Sequence, residues 1–206
     1  MEESLMARKS TYRVKLRRRR EGKTDYHARK AMVVSERPRL VPRFSAKNVS
    51  VQIIISKLSG DIVLASAHSR ELKKKYGWKA PTGNIPAAYL TGLICGFKAR
   101  NNAVDNAILD IGLINPTKGS KIFAALSGVV DAGVIVPHDQ NKIIKERIEG
   151  KHIVKYGHVL EADSEGYSAK FSKYLEQKIS PKDLSEHFAK VKSTIINSYT
   201  KGDKQA

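Results

Sequence analysis

Val49-Ser50-Val51-Gln52-Ile53-Ile54-Ile55-Ser56-Lys57-Leu58-Ser59-Gly60-Asp61-Ile62-Val63-Leu64-Ala65-Ser66-Ala67 holds two runs rich in β-branched residues around a Ser-Gly-Asp turn. That arrangement predicts a β-hairpin, Val49–Ser56 against Ile62–Ala67. Upstream, Leu40–Phe44 is a third short β-rich run, so residues from Pro38 to His68 read as a three-stranded antiparallel meander. Downstream the pattern changes to alternating helix and strand. Asn84 with Pro86 starts a helix carrying Ile85, Tyr89, Leu93, Ile94 and Phe97 on one stripe. Ala107–Ile111 reads as a short strand. Ser120 starts a second helix, with Ile122, Phe123, Leu126, Val129 and Val130 inward and Gly133 near its end. Val134–Val136 is a further strand, stopped by Pro137. Strand–helix–strand–helix–strand implies parallel neighbours and right-handed crossovers. The expected fold class is α/β: a mixed sheet in which the meander is followed by βαβ units.

Three segments follow from composition. Residues 1–35 form a basic arm and a short helix, 36–160 the mixed α/β core, and 161–206 a helical C-terminal extension. Residues 1–22 lack a hydrophobic face and are expected to be extended or disordered until bound. Thr24 is placed to cap a helix running through about Met32. Lys73–Lys79, containing Tyr76, Gly77 and Trp78, reads as a basic aromatic loop. In the extension Phe171, Tyr174 and Leu175 form a small stripe, and Ser180-Pro181-Lys182-Asp183 is a helix start. Leu184, Phe188, Val191 and Ile195 then recur at helical spacing, a face that needs the core or a partner to bury it.

Charge is the strongest functional signal. Ten of the 13 arginines lie in the first 43 residues, and Arg17, Arg18, Arg19 and Arg20 are consecutive. From Arg8 to Lys30 there are 11 Lys and Arg against Glu21 and Asp25, half of the formal +18 of the chain. Guanidinium grips phosphate through two donors at once, so this concentration predicts a phosphate-binding arm. It is longer than a localisation patch, and Tyr12 and Tyr26 are interleaved where they can stack on unpaired bases. Nucleic acid is therefore the expected partner.

Other chemistries are poorly supported. The one cysteine, Cys95, excludes an intrachain disulfide and fits a reducing compartment; it reads as a small core residue. The N-terminus shows no apolar signal-peptide region, and no apolar run approaches the ~18 residues of a spanning helix. No membrane partner and no cofactor are expected. His27, His68, His138, His152, His158 and His187 show no metal-ligand spacing, and no phosphate-binding glycine loop of the GxxxxGK[ST] type is present. Asp61, Asp105, Asp110 and Asp131 are too scattered to predict a metal-dependent nuclease, so no catalytic residue is expected. Gly92 and Gly96, four apart on one helix, predict close packing.

Several blocks, in order, resemble one family. Arg17-Arg18-Arg19-Arg20-Glu21-Gly22-Lys23-Thr24-Asp25-Tyr26 is similar to the N-terminal motif of the large-subunit ribosomal proteins that bind 5S ribosomal RNA, in their archaeal and eukaryotic branch (numbered eighteen among archaeal large-subunit proteins). Arg37–Val41, Tyr76-Gly77-Trp78, Asn84–Gly92, Asp131-Ala132-Gly133, Pro137-His138, Glu146–Ile153 and Phe171–Leu175 continue the likeness, which spans about residues 12–195. It implies a ribonuclease-H-like topology without catalysis. It also implies a cytoplasmic, ribosome-bound role in the central protuberance. The implied partners are 5S ribosomal RNA, 23S-type large-subunit RNA, a neighbouring 5S-binding ribosomal protein and other large-subunit proteins. Residues alone leave a second reading open, a non-ribosomal basic RNA binder with a regulatory or chaperone role.

The residues expected to touch RNA begin with the arm: Arg8, Lys9, Tyr12, Arg13, Lys15, Arg17, Arg18, Arg19 and Arg20. Lys23, Thr24, Tyr26 and Arg29 follow, with the amides of the helix near Thr24 offered to a phosphate. Arg39, Arg43, Lys47 and Asn48 are expected to extend the basic surface across the sheet, and Trp78 to contribute from its loop. Pro42 in the first strand removes a ladder donor, so a bulge is expected there if that strand is central. Against the family pattern, Met1–Met6 precedes the usual start, and His27 and Met32–Val34 make their helix less basic.

Overall fold

A computed structural model describes residues 11–57 and 59–202. In chain order the elements are α1 (Arg17–Arg20), α2 (Tyr26–Val34), β1 (Arg39–Phe44), β2 (Val49–Lys57), β3 (Gly60–His68), α3 (Arg70–Lys75) and α4 (Ile85–Asn101). They continue as β4 (Ile108–Leu109), α5 (Lys121–Asp131), α6 (Lys145–Ile148), α7 (Lys151–Val159), α8 (Ser164–Glu176) and α9 (Leu184–Gly202). The sheet order is β3-β2-β1-β4. The meander forms as expected: β1 runs antiparallel to β2 with Leu40 opposite Ile53, and β2 antiparallel to β3. β4 then returns parallel to β1, pairing Ile108 with Arg39 and Leu109 with Leu40. The fold is a mixed α/β sheet with packed helices and a helical C-terminal region.

Helix α4 is the centre of the molecule. Asn84 caps it, its Oδ1 accepting from the Ala87 amide at 2.9 Å, and Pro86 lies in the first turn. The expected one-sided stripe is too narrow a description, because every residue from Pro86 to Gly96 is buried. The sheet covers one side of α4 and α5 the other. Contact with α5 is made through backbone. A Cβ on Gly92 would collide with the Ala125 carbonyl, and one on Gly128 with the Tyr89 carbonyl. The small residues anticipated at Gly92 and Gly96 thus serve close packing. Cys95 lies inside this core, where burial pushes its thiol up to about 12.

The C-terminal helices close the same core. Leu184, Phe188, Val191 and Ile195 are all buried, with Phe188 5.5 Å from Tyr89. Farther along α9, Tyr199 stacks on Phe97 at 5.0 Å. The apolar face read from the sequence is therefore covered by the chain itself. In α8, Phe171 and Tyr174 are buried but Leu175 is exposed, so the expected stripe loses one member where the helix kinks at Phe171. Among the described residues no helix is long and apolar enough to cross a membrane.

Several expectations are corrected. The strand expected over Ala107–Ile111 shrinks to two residues, and Val134–Val136 contributes one parallel bridge, Ile135 to Asn106. β1 is central, yet no bulge forms at Pro42, which pairs regularly with Val51. The reason is directional. Pro38 and Leu40 turn their carbonyls to Ile108 and Asp110, so the even residues of β1 face β4. The next acceptor on that side is the Asp110 carbonyl; Pro42 has no N–H to give it, and Arg43 Nη1 donates to it at 2.9 Å instead, so the ladder ends there without a bulge. The register shift falls instead between Ile53 and Ile54, against β3. Arg70–Lys75 is a short helix, so only the later part of the basic aromatic segment is loop.

Replacing Gly128 by alanine forces a methyl into the α4 backbone. Urea unfolding should show a loss of about 3 kcal/mol or more, at the upper end for overpacking. A loss under about 0.5 kcal/mol would mean that the two helices do not approach as described.

Candidate nucleic-acid interface

The basic arm is exposed throughout its described part, residues 11–20. Arg8 and Lys9, also expected to contact RNA, lie outside the described residues, as does the Met1–Met6 segment. The expectation of an extended chain fails at the four arginines, which make one helical turn. Arg19 and Arg20 donate their amides to the Leu16 carbonyl at 2.9 and 3.0 Å. Glu21 then sits near Arg17 at 4.0 Å and pairs with Lys23 at 2.8 Å. Gly22, at φ +61, reverses the chain in a conformation that costs glycine little. Among the described residues Arg13, Lys15, Arg19 and Arg20 have no ion-pair partner.

The cap of α2 also differs from the expectation. Asp25, not Thr24, accepts from the first amides, those of His27 at 2.8 Å and Ala28 at 3.2 Å. The Thr24 hydroxyl instead accepts from Arg18 Nε at 2.8 Å. A carboxylate already occupies the helix terminus, so those amides are not open to a phosphate. Tyr26 is half-buried at the start of α2, and Tyr12 is exposed.

Arg29 and Arg39 are both engaged by carboxylates. Arg39 is 2% exposed, with one guanidinium nitrogen on Asp110 at 2.8 Å and the other on Asp61 at 2.9 Å and Ser56 at 2.8 Å. Asp61 also takes Arg29 Nη2 through both oxygens at 3.0 Å. The Ser56 hydroxyl donates to Asp61 at 3.0 Å. Asp110 in turn accepts from Arg43 at 3.1 Å and from the Gly112 amide at 2.9 Å. Arg43 also donates to the Asp110 carbonyl at 2.9 Å, bridging the gap where β4 has ended. Arg39 is corrected from the interface to the interior, while Arg29, still 40% exposed, tethers α2 through Asp61. Arg43 remains partly exposed beside Arg18, Lys23 and Thr24 around one small cleft. Burial would raise the Asp61 carboxyl, but bonds from Ser56 and Arg29 and the charges of Arg29 and Arg39 outweigh it and hold the group below its ordinary 3.8.

Trp78 is corrected likewise. It is 2% exposed, stacked on His187 of α9 at 5.0 Å, and closed to bases. Within the block Tyr76-Gly77-Trp78, the tryptophan packs the C-terminal helix. Lys47 and Asn48 are exposed and half-buried respectively, but they do not continue the arm surface. They line a different cleft, together with Arg70, Lys73, Lys74 and Lys173. The basic run near Lys73 was visible in the sequence; its approach to Lys173, a hundred positions later, was not.

The network around Arg39 carries a stability prediction. Arg39→Met removes the cation shared by the two carboxylates and leaves Asp61 with Arg29 alone and the buried Asp110 with Arg43 alone, so urea unfolding at neutral pH should show a loss of about 3 kcal/mol, the lower end for a broken buried pair. Asp61 has its folded pKa below the unfolded value of 3.8, so its contribution is present above that pH and disappears as pH falls through the folded value. A wild-type acid-unfolding limb that Asp61→Asn leaves unaltered would contradict this.

With this geometry in place, comparison with known proteins is informative. Residues 10–106 and 99–139 match the family described as "Ribosomal large subunit proteins 60S L5, and 50S L18". The chain is 47% identical over 203 residues, 98% of each chain, to "Large ribosomal subunit protein uL18" of Caldivirga maquilingensis. It is 48% identical over 194 residues to the protein of the same name from Methanococcus maripaludis, covering 93% of this chain and 100% of that one. Identity at this level over nearly the full length of both relatives leaves one assignment: the chain belongs to the L5/L18 family of large-subunit ribosomal proteins.

Proposed function

We propose that the chain binds 5S ribosomal RNA and anchors it in the central protuberance of the cytoplasmic large subunit, as a structural constituent and not an enzyme. The observation that carries this reading is the arm, whose exposed cations from Arg13 to Arg20 have almost no acidic partners. Uncompensated charge of this density favours the release of counterions from a phosphate chain. The sequence Tyr12-Arg13-Val14-Lys15-Leu16 alternates cation with apolar side chain. In an extended chain these point to opposite sides, so one side meets phosphates while Tyr12 meets bases. Arg8 and Lys9 extend the same series, and Lys23 and Arg43 flank its return. Paired RNA has a deep, narrow major groove, so shape and unstacked bases supply the specificity.

The further partners are 23S-type RNA, a neighbouring 5S-binding ribosomal protein and other large-subunit proteins. We read residues 1–35 as the RNA-binding arm, 36–160 as the core and 161–206 as the extension. The antiparallel meander with a parallel β4 supports a ribonuclease-H-like topology, completed by the bridge at Ile135. Asp61 and Asp110, which could have served a nuclease, are bridged by the Arg39 guanidinium.

The test is Arg17–Arg20→Ala in the full chain. Each phosphate-gripping arginine lost should cost about 1–3 kcal/mol. The slope of log affinity against log salt should fall by roughly 0.7–0.9 per lost contact. Unchanged 5S affinity and slope would refute the arm reading.

A further inference from the structure

The cleft beside Lys47 has a composition that the arm does not explain. Its volume is about 660 Å³, and of the four stretches of chain that line it three supply its cations. The β1–β2 turn supplies Lys47, the helix α3 supplies Arg70, Lys73 and Lys74, and α8 supplies Lys173. The turn is held in place by Thr82, whose hydroxyl donates to the Lys47 carbonyl at 2.7 Å. Gly83 allows that approach, since a Cβ there would lie 2.9 Å from the Ala46 carbonyl oxygen.

None of the five cations makes an ion pair with a described residue. The acid of α3, Glu71, is turned away to Lys98 at 2.8 Å and to the His68 amide at 3.0 Å. Glu176 is the one acid among the lining residues. Like charges gathered from three elements repel one another, and among the lining residues Glu176 alone opposes the five. The cleft shares no lining residue with the one beside the arm, where Arg18, Lys23 and Arg43 lie. Lys173 lies beyond the family-model match, which ends at residue 139, in the block Phe171–Leu175 of the C-terminal extension.

We infer that this cleft is a second RNA-binding site, taking the phosphates of a strand separate from the one held by the arm, with Lys173 completing it from the C-terminal helices. The inference rests on the RNA-binding reading but not on the arm. Four lysines and Arg70 suit a run of phosphates, the lysines as point charges and the guanidinium as a fork. The Asn48 amide group, whose oxygen accepts from Thr82 at 3.2 Å, offers its nitrogen as a further donor at the rim.

The test uses the full chain in three charge reversals: Lys73→Glu with Lys74→Glu, Lys173→Glu, and Lys155→Glu as control. Lys155 is exposed (side chain 76%) on α7, outside the cleft. Each protein is titrated with 5S ribosomal RNA and, separately, with large-subunit ribosomal RNA across a salt series. Both cleft variants should lose about tenfold or more in affinity and flatten the salt slope by roughly 0.9 per lost contact, while the control changes little. Loss with 5S RNA assigns the cleft to that molecule; loss only with the larger RNA assigns it there. Thermal melting and the milder Lys173→Gln verify that folding is intact. Unchanged binding to both RNAs, or an equal loss in the control, overturns the inference. Loss of incorporation into subunits with RNA binding intact also overturns it, by assigning the cleft to a protein. The Arg17–Arg20→Ala variant separates the two sites: if it alone loses binding, the RNA reading stands and the cleft does not.

Discussion

The Arg39 guanidinium, almost wholly removed from water, holds together two carboxylates from opposite edges of the sheet. Asp61 comes from the start of β3 and Asp110 from the residue after β4, with β1 between them. Removing three charges from water is costly, and their mutual attraction repays that only with good geometry and further hydrogen bonds. The Ser56 hydroxyl, the Gly112 amide and Arg43 supply those bonds. Arg29 joins the same cluster from α2, so the network fixes where the arm leaves the body of the protein. A two-residue β4 offers little ladder of its own, and these side chains make up for its shortness.

The arginines of this chain therefore divide into two kinds. Arg29 and Arg39 face carboxylates and organise the fold. Arg13, Arg19 and Arg20 are exposed and make no ion pair with a described residue, which is what the proposed phosphate contacts require. The same residue type serves both because a planar, permanently charged fork suits carboxylate and phosphate alike. The acids follow a matching rule. Asp61, Asp110 and Glu71 are drawn to cations of the body, which leaves the arm with Glu21 and the Lys47 cleft with Glu176 against many more cations.

Much of this was legible in the sequence, because it depends on local pattern. The hairpin at Ser59-Gly60-Asp61, the cap at Asn84 and the apolar spacing of Leu184, Phe188, Val191 and Ile195 all emerge as read. The small residues at Gly92 and Gly96 signalled close packing, though not that Gly128 of α5 answers them. What was hidden depends on long-range company. Arg39 looks like any basic residue at a strand start until Asp110, 71 positions later, lies beside it. Trp78 sits in a lysine-rich stretch, and only the arrival of His187 shows that it is interior. Pro42 argued for a bulge because nothing local showed that the Arg43 guanidinium would take over the missing donor to the Asp110 carbonyl. Thr24 and Asp25 are both good caps, and the hydroxyl of the first was claimed by Arg18.

The measurement that bears most directly on the account is a filter-binding titration of the purified chain with 5S ribosomal RNA and with an unrelated RNA of the same length, at two salt concentrations. Contacts from a folded surface, added to those of a charged arm, predict much tighter binding to 5S RNA that persists at the higher salt. Equal affinity for both RNAs, lost together as salt rises, would show that charge alone binds and would contradict specific recognition of 5S ribosomal RNA.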